Sequence, residues 1–160
     1  MTMKVIFLDV DGVLNNRKSL ALGQATDPPV HPPGPLGMVF TVDPDCVALL
    51  RKIVEEMDLK IVLSSTWRHH PHAFQTAMDW CGWETVPFIG RTPRTAQKVH
   101  GHYERGSEIQ EWLEQHPEVT QYCIIDDDTY DIYQLDRLVH TEHEVGLTEA
   151  HIKEIRELMK

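Results

Sequence analysis

Apolar and polar positions divide the chain into short apolar runs that alternate with amphipathic segments. Apolar runs typical of strands buried on both faces occupy residues 4–9 and 59–65. Shorter apolar stretches predict further strands at residues 84–90, 121–128 and 137–142. Apolar residues spaced three or four positions apart predict helices at residues 44–57, 71–81, 107–116 and 148–160. Because strands alternate with helices, we expect an α/β fold: one doubly wound, Rossmann-like parallel sheet of about five strands flanked by helices.

Individual residues add detail to the predicted helices and core. Asp43 suits an N-cap and Pro44 the first position of the first helix. The tryptophans Trp80, Trp83 and Trp112 are interpreted as core residues.

Residues 17–42 interrupt the alternation of strands and helices. Five of the ten prolines of the chain lie between positions 28 and 35, and no hydrophobic period is visible there. Long irregular stretches inside compact domains are often lids or binding loops. We therefore interpret residues 17–42 as a proline-rich loop or lid within a single domain of residues 1–160; a disordered surface loop is the alternative.

Composition and charge narrow the class of protein. With 160 residues, 41% hydrophobic and 25% charged, the chain is typical of a globular domain. No apolar run or N-terminal signal predicts a membrane segment or export, and three widely spaced cysteines favour a reducing, cytoplasmic setting. The net charge of −10 disfavours an extended nucleic-acid-binding surface but permits a local pocket for one phosphate.

Candidate chemistry lies at the predicted carboxyl ends of the strands, where parallel α/β sheets bind ligands. The first strand ends in "DVD", the second in "SST" and the fourth in "IDDD". So many carboxylates repel one another unless a hard cation neutralises them, and oxygen ligands select Mg²⁺. The hydroxyls of Ser64, Ser65 and Thr66 are suited to donate to a phosphate on that cation, together with Arg105 or Lys98.

These motifs carry a resemblance to a known family. "FLDVDGVLN", "IVLSS" and "CIIDDD" resemble, in order, the first, second and fourth motifs of the haloacid dehalogenase (HAD) superfamily of phosphohydrolases. "ERGSEI" offers Arg105 for the third motif. "LSSTWR", "RGSEIQEWL", "IDDD" and "GLT" resemble the HAD domains of RNA-repair (Swiss Army Knife) proteins, over Met3 to about Met159. The fold is then expected to be HAD-like, and the spacing of the motifs leaves no room for a large cap domain.

The resemblance implies a role for each matching residue. Asp9 is expected to be the nucleophile that attacks phosphorus, and Asp11 the general acid and base that also touches the metal through its backbone carbonyl. Asp127 is expected to ligate Mg²⁺ directly, with Asp126 behind it. The metal-site residues are therefore Asp9, Asp11, Asp127 and Asp126.

Phosphate binding is assigned in the same way. Ser65 aligns best with the phosphate-binding hydroxyl, with Ser64 as the alternative. Arg105 supplies the cation, although the family more often has Lys there, and Lys98 is the alternative. Gly12 is expected to let the backbone turn tightly enough to aim amides at the phosphate. Asp128 and Asp131 are either further site residues or carboxylates of a turn or helix cap.

The function implied is a Mg²⁺-dependent phosphomonoester hydrolase that acts through an aspartyl-phosphate on nucleotides, nucleic-acid end phosphates or small phosphate esters. A regulatory module that only binds Mg²⁺ and phosphate, or a phosphotransferase, remains the alternative. Trp67 and Arg68 follow "SST" at the rim of the site, where Trp67 either stacks on a base or packs in the core. The histidines at 69, 70, 72, 100 and 102 lack the spacing of a zinc site and are interpreted as polar loop residues, with contact to substrate near the mouth of the site as the alternative.

Overall fold

The sheet contains five strands, all parallel. The computed structural model describes residues 2–20, 41–93 and 104–160. The strands are β1 (Met3–Leu8), β2 (Lys60–Leu63), β3 (Phe88–Arg91), β4 (Val119–Asp126) and β5 (Leu138–His140). They pair in the order β3-β2-β1-β4-β5, and every pairing is parallel. The predicted Rossmann-like α/β fold is confirmed.

Besides the helical residues 17–20, the described residues contain four α-helices. They are α1 (Pro44–Met57), α2 (Pro71–Trp80), α3 (Arg105–Gln115) and α4 (Glu149–Leu158). Asp43 caps α1 as predicted: its carboxylate accepts from the Asp45 N–H at 2.9 Å, and Pro44 begins the helix. Two 3₁₀ helices, Thr66–His69 and Leu135–Arg137, have no counterpart in the sequence prediction.

The two faces of the sheet carry different helices. Alternate residues of β1 point to opposite faces. Ile6 and Leu8 pack in the core that contains residues of α1, α2 and α4, whereas Val5 and Phe7 pack with residues of α3. The rings of Phe7 and Trp112 meet edge to face, 5.4 Å between centroids. Helix α3 therefore lies on the other face of the sheet from α1, α2 and α4.

The chain order places a crevice at the centre of the sheet. From β1 the chain moves outward through β2 to β3, and it then returns to the other side of β1 as β4 and β5. The strand order therefore reverses between β1 and β4, which is where α/β sheets bind ligands outside the carboxyl ends of their strands. Asp9 follows β1, and Asp126 is the last residue of β4.

Several predicted details differ from the structure. Trp80 is not a core residue: it is 56% exposed, because it ends α2 at the edge of the apolar stripe formed by Phe74, Ala77 and Met78. Trp83 and Trp112 are buried as predicted. Strand β2 ends at Leu63, so the serines lie beyond it, and α3 begins at Arg105, two residues earlier than predicted.

Two predicted features lie wholly or partly outside the described residues. Of the proline-rich loop at 17–42, residues 21–40 are not described, and residues 17–20 are helical. Lys98, His100 and His102 are also outside the described residues. In the part of the chain that is described, no helix has the length and apolar character needed to cross a membrane.

Candidate active site

Three carboxylates converge at the carboxyl ends of β1 and β4. One oxygen from each of Asp9, Asp126 and Asp127 lies within 4.8 Å of the others. Asp9 and Asp126 are buried, and Asp127 is half-buried. Among the described residues, this is the one group of three or more acidic, histidine or cysteine side chains arranged to hold a metal ion. The predicted convergence of the "DVD" and "IDDD" strand ends is therefore present in the structure.

Arg105 supplies positive charge to this group. Its guanidinium Nη1 contacts the Asp126 carboxylate and lies 3.6 Å from Asp9 Oδ1. Burial and the charge of Asp126 raise the pKa of Asp9 well above its ordinary value, although Arg105 acts in the opposite direction. Burial likewise raises the pKa of Asp126, and Arg105 partly offsets that rise. One arginine therefore does not fully compensate the buried carboxylates.

The arginine itself is held in its charged form. Burial disfavours a charged guanidinium, but the carboxylates of Asp126 and Asp9 outweigh that effect and raise the pKa of Arg105. At the start of α3, the Arg105 backbone N–H donates to Asp131 Oδ2 at 3.4 Å, and the Gly106 N–H donates to the Asp131 carbonyl at 2.9 Å. Asp131 thus contributes to the N-terminal end of α3.

The three acids that end the fourth motif have different surroundings. Both oxygens of Asp126 are engaged, Oδ1 by the Asp128 N–H at 2.9 Å and Oδ2 by Arg105. Asp127 Oδ2 lies 2.9 Å from His143 Nδ1, a half-exposed contact. Asp128 is exposed and accepts from the Tyr130 N–H at 2.9 Å, as a turn carboxylate does.

Asp11 is held by two donors. Its Oδ1 accepts from Asn15 Nδ2 at 2.8 Å and from the indole Nε1 of Trp67 at 3.2 Å. Trp67 is buried, which decides between core packing and base stacking in favour of the core. Sequence reasoning missed the contacts of both donors, and the only signal was an asparagine four positions after Asp11 in "DVDGVLNN".

Gly12 has a backbone conformation that only glycine adopts easily. Its φ is +78°, and a Cβ there would lie 2.3 Å from Asp127 Oδ2. Its N–H donates to Asn15 Oδ1 at 2.9 Å, and its carbonyl accepts from the Thr141 hydroxyl at 2.8 Å. Asn15 therefore takes the Gly12 amide, and the expectation that the turn at Gly12 aims backbone amides at a phosphate stays a prediction.

The two candidate serines are buried but differently engaged. Ser65 Oγ accepts from the Trp67 N–H at 3.0 Å and caps the 3₁₀ helix Thr66–His69. Ser64 Oγ is buried and has no hydrogen-bond partner among the described residues. Since Leu63 pairs with Leu8 in the sheet, Ser64 continues the register directly beside Asp9. A buried hydroxyl without a partner, next to the candidate nucleophile, favours Ser64 for a ligand.

Two histidines near the acids were not singled out from the sequence. His143 contacts the Asp127 carboxylate, and His140 Nε2 lies 2.9 Å from the Asp127 carbonyl. Both follow β4 in the chain and reach the site because β5 pairs directly with β4.

The family model of the HAD domain in Swiss Army Knife RNA repair proteins matches residues 5–152. The chain belongs to this family. Comparison with curated proteins and with solved structures finds no match. The matched range includes the strand ends and Arg105, so membership and geometry agree on the location of the site. A HAD domain indicates hydrolase chemistry of the phosphatase type, acting on a phosphorylated substrate.

The acidic group of this HAD domain fits a magnesium ion. All the candidate ligand atoms are oxygens, which Mg²⁺ prefers over the nitrogen and sulfur ligands typical of zinc. Asp9, Asp126 and Asp127 offer oxygens within 4.8 Å of one another while Arg105 contacts two of these carboxylates, and a divalent cation would offset the remaining repulsion. The donor set therefore suits Mg²⁺.

Proposed function

We propose that this HAD domain hydrolyses phosphomonoesters in a Mg²⁺-dependent reaction that passes through an aspartyl-phosphate on Asp9. The observation that carries the proposal is the convergence of Asp9, Asp126 and Asp127 within 4.8 Å. Arg105, which contacts two of these carboxylates, adds a cation suited to a phosphate. Acidic ligands and a guanidinium around one buried carboxylate are the parts that phosphoryl transfer needs.

Four groups would hold the metal. The carboxylates of Asp9 and Asp127 and the backbone carbonyl of Asp11 would ligate Mg²⁺ directly. Asp126, whose oxygens are engaged by Arg105 and the Asp128 N–H, would orient the site from behind. When bound, Mg²⁺ neutralises carboxylate charge and polarises the phosphoryl oxygens.

In the first step, a carboxylate oxygen of Asp9 attacks phosphorus. The bond between phosphorus and the ester oxygen breaks, and the leaving oxygen takes a proton from Asp11. The donors Asn15 and Trp67 hold Asp11 by one oxygen and so fix the direction of its carboxyl group. Asp11 is exposed, and the orientation that these two donors impose on its carboxyl group supports the role of a general acid.

The second step regenerates the enzyme. Asp11 accepts a proton from a water molecule as that water attacks the phosphorus of the aspartyl-phosphate. The bond between phosphorus and the Asp9 oxygen breaks, and inorganic phosphate leaves. The net reaction consumes one phosphomonoester and one water and yields an alcohol and phosphate. A module that only binds phosphate has no use for a held acid at Asp11, so this residue favours the hydrolase.

The phosphoryl oxygens would be bound by Arg105 and a serine hydroxyl. The unpartnered Ser64 Oγ supports Ser64 for this role, and Ser65 remains the alternative that sequence alignment favours. Gly12 would act through its conformation, because it lets Asp127 approach the backbone of the loop after β1.

The substrate we propose is a nucleotide or the phosphate at a nucleic-acid end. The family description, which places such HAD domains in RNA repair proteins, supports this choice. The net charge of −10 supports recognition of an end or a small ester rather than of a long backbone. The three cysteines are free thiols, which supports a reducing cytoplasmic setting.

An aryl phosphate tests the reaction without assuming the natural substrate. The purified protein is expected to release phosphate with Mg²⁺ and to lose that activity with a chelator. Asp9→Asn is expected to abolish turnover and to leave the fold intact by circular dichroism. Asp11→Asn is expected to accumulate phosphorylated Asp9, detected by mass spectrometry, because water attack is slowed.

Asp128→Asn is the matched control, since Asp128 is an exposed turn carboxylate in the same acidic run. It is expected to keep wild-type turnover. Hydrolysis by Asp9→Asn at the wild-type rate would rule out the covalent route through Asp9.

A further inference from the structure

A cavity lies where α3 approaches the 3₁₀ helix after β2 and the end of β3. Its volume is about 540 Å³. It is lined by residues of the 3₁₀ helix Thr66–His69, of the end of β3 and the two residues after it, and of the C-terminal half of α3 and the residue after it. Trp112 of α3 forms part of its wall and belongs to the core on the α3 side of the sheet. We call this space the arginine cavity, after its lining residues Arg68 and Arg91.

The charge of the arginine cavity is opposite to that of the chain. Two arginines and two histidines are among the eight described residues that line it, and none of these eight is an aspartate or a glutamate. The chain as a whole has a net charge of −10. Glu108 compensates the charge of Arg68, so the excess positive charge of this concave surface comes from Arg91 and favours an anion.

The two arginines are held in place. Arg68 Nη1 lies 2.7 Å from Glu108 Oε2 and donates to Thr92 Oγ1 at 3.1 Å. Arg91 Nη1 in turn donates to the Arg68 carbonyl at 2.6 Å. Binding an anion between side chains that are already ordered costs less conformational entropy than binding between mobile ones.

Arg68 also keeps an unused donor. Its Nε is buried and has no hydrogen-bond partner among the described residues, and the side chain as a whole is 12% exposed. A buried donor without a partner costs free energy, which a ligand acceptor would recover.

Helix α3 links the arginine cavity to the reaction site. Arg105, which contacts Asp9 and Asp126, lies three positions before Glu108, which contacts Arg68. Residues three apart in a helix are neighbours on one face, about 5–6 Å apart at Cβ. The cavity residues Trp112 and His116 follow over the next two turns, roughly 10 Å along the axis. A substrate that reaches both places would therefore carry two phosphates separated by about this length.

We propose that the arginine cavity binds a second phosphate of the same substrate whose first phosphate reacts at Asp9. The inference rests on the proposed function and narrows it from phosphomonoesters in general to esters that carry two phosphate groups. Arg91 and Arg68 bind the second phosphate and leave the first to Arg105. The shared chemistry is the second phosphate, whether a nucleoside or a sugar carries it.

The test compares substrates that differ by one phosphate. The value of kcat/KM is measured for adenosine 3′,5′-bisphosphate against both adenosine monophosphates, and for fructose 1,6-bisphosphate against fructose 6-phosphate. The wild type is expected to prefer at least one bisphosphate, and the pair that shows the preference identifies the carrier. Arg91→Gln is expected to reduce that preference on the order of ten-fold, because one charged donor is lost.

Two further variants sharpen the comparison. Arg91→Lys keeps the charge without the two-pronged guanidinium and is expected to lie between wild type and Arg91→Gln. Arg68→Met combined with Glu108→Leu removes the second arginine without leaving an unpaired buried charge, and is expected to reduce the preference as well. Lys153→Gln, an exposed charge on α4, is the control and is expected to keep the wild-type preference.

The outcomes separate this inference from the proposed function. Suppose that the aryl phosphate is hydrolysed, but that the wild type does not prefer a bisphosphate or that Arg91→Gln prefers it equally. The arginine cavity then does not bind a second phosphate, and the hydrolase proposal stands. If no ester is hydrolysed, the proposed function fails. Calorimetric binding of the same bisphosphates then decides on the cavity: weaker binding by Arg91→Gln supports the site, and equal binding overturns it.

Discussion

Trp67 donates its indole N–H to Asp11 Oδ1 across 3.2 Å, although the two residues are 56 positions apart in the chain. The contact joins the loop after β1 to the 3₁₀ helix after β2. The indole ring is 4% exposed, so its only polar atom is satisfied by the candidate acid. A core tryptophan therefore positions a residue of the candidate site.

Replacing Trp67 by phenylalanine tests this positioning. Trp67→Phe keeps an aromatic ring but removes the donor, so Asn15 is the side-chain donor that Asp11 retains among the described residues. We expect kcat for an aryl phosphate to fall roughly ten-fold with little change in KM, because positioning of the acid is lost rather than phosphate binding. The unfolding free energy, measured in urea, is expected to fall by about 1 kcal/mol for the lost hydrogen bond and the smaller ring.

Trp80→Phe makes the same chemical change at an exposed position and is expected to leave kcat unchanged. Equal kcat values for Trp67→Phe and wild type would show that Asn15 alone holds Asp11.

Gly12 is expected to tolerate no side chain. In Gly12→Ala the new Cβ would lie 2.3 Å from Asp127 Oδ2, so Asp127 or the loop after β1 must move. We expect the Mg²⁺ concentration for half-maximal activity to rise at least ten-fold, and the unfolding free energy to fall by more than about 1 kcal/mol, because steric overlap adds to backbone strain.

Gly82→Ala separates strain from contact. Gly82 has a similar φ of +80°, and a Cβ there would have nothing within 4 Å. It is expected to cost stability of about 1 kcal/mol from strain alone and to keep the wild-type Mg²⁺ dependence. Wild-type Mg²⁺ dependence in Gly12→Ala would show that the position of Asp127 does not matter to the metal.

Asp127→Asn is expected to change stability in opposite directions with and without Mg²⁺. Three carboxylates within 4.8 Å repel one another, so neutralising one is expected to raise Tm in a chelator. Added Mg²⁺ is expected to raise Tm for the wild type but not for the variant; a concentration of 100 Kd stabilises by about 2.7 kcal/mol. Asp128→Asn, outside the group, is expected to respond as the wild type does, and a full Mg²⁺ response in Asp127→Asn would remove Asp127 from the metal site.

Much of the fold and the location of the site could be predicted because the pattern is local. A buried parallel strand is a continuous apolar run, so the residue after it, such as Asp9 or Ser64, is marked by the change to a polar side chain. Parallel strands bring these residues to one edge of the sheet whatever the order of the strands. Convergence of the acids needed no knowledge of packing.

The contacts between loops could not be predicted in this way. Trp67 with Asp11 and Arg68 with Glu108 join segments 40 or more positions apart. They depend on β2 lying beside β1 and on α3 covering the opposite face from the other helices, which periodicity does not specify. Trp80 was misplaced for a related reason, since hydrophobicity alone does not show which helix edge faces solvent.

Arg105 and Lys98 are expected to respond differently to substitution. Arg105→Met leaves the buried carboxylates of Asp9 and Asp126 without their cation, so we expect kcat/KM for an aryl phosphate to fall at least a hundred-fold. The unfolding free energy is expected to fall by roughly 3 kcal/mol for the same reason. Arg105→Lys keeps the charge and is expected to recover part of the activity. Lys98→Gln is expected to keep the wild-type rate; the reverse order of effects would assign the third motif to Lys98.

Glu108 gives the wild type a pH-dependent stability that a glutamine lacks. Burial raises the pKa of Glu108, and Arg68 only partly offsets the rise. The folded state therefore keeps the Glu108 proton to higher pH than the unfolded state does. The contribution of Glu108 to the unfolding free energy is then largest below about pH 4.3 and falls as pH rises through the raised pKa, by about 1.4 kcal/mol for each pKa unit of the rise.

Urea unfolding between pH 4 and pH 7 is expected to show the stability of the wild type declining relative to Glu108→Gln over this window. Glu108→Gln also loses the ion pair with Arg68, which separates the unfolding free energies of the two proteins at every pH. The readout is therefore how the difference between these two free energies changes with pH. Glu114→Gln, at an exposed position on the same helix, is the control, and its unfolding free energy relative to wild type is expected to change much less with pH. If the wild type instead becomes more stable than Glu108→Gln as pH rises, the ion pair with Arg68 outweighs the burial of Glu108.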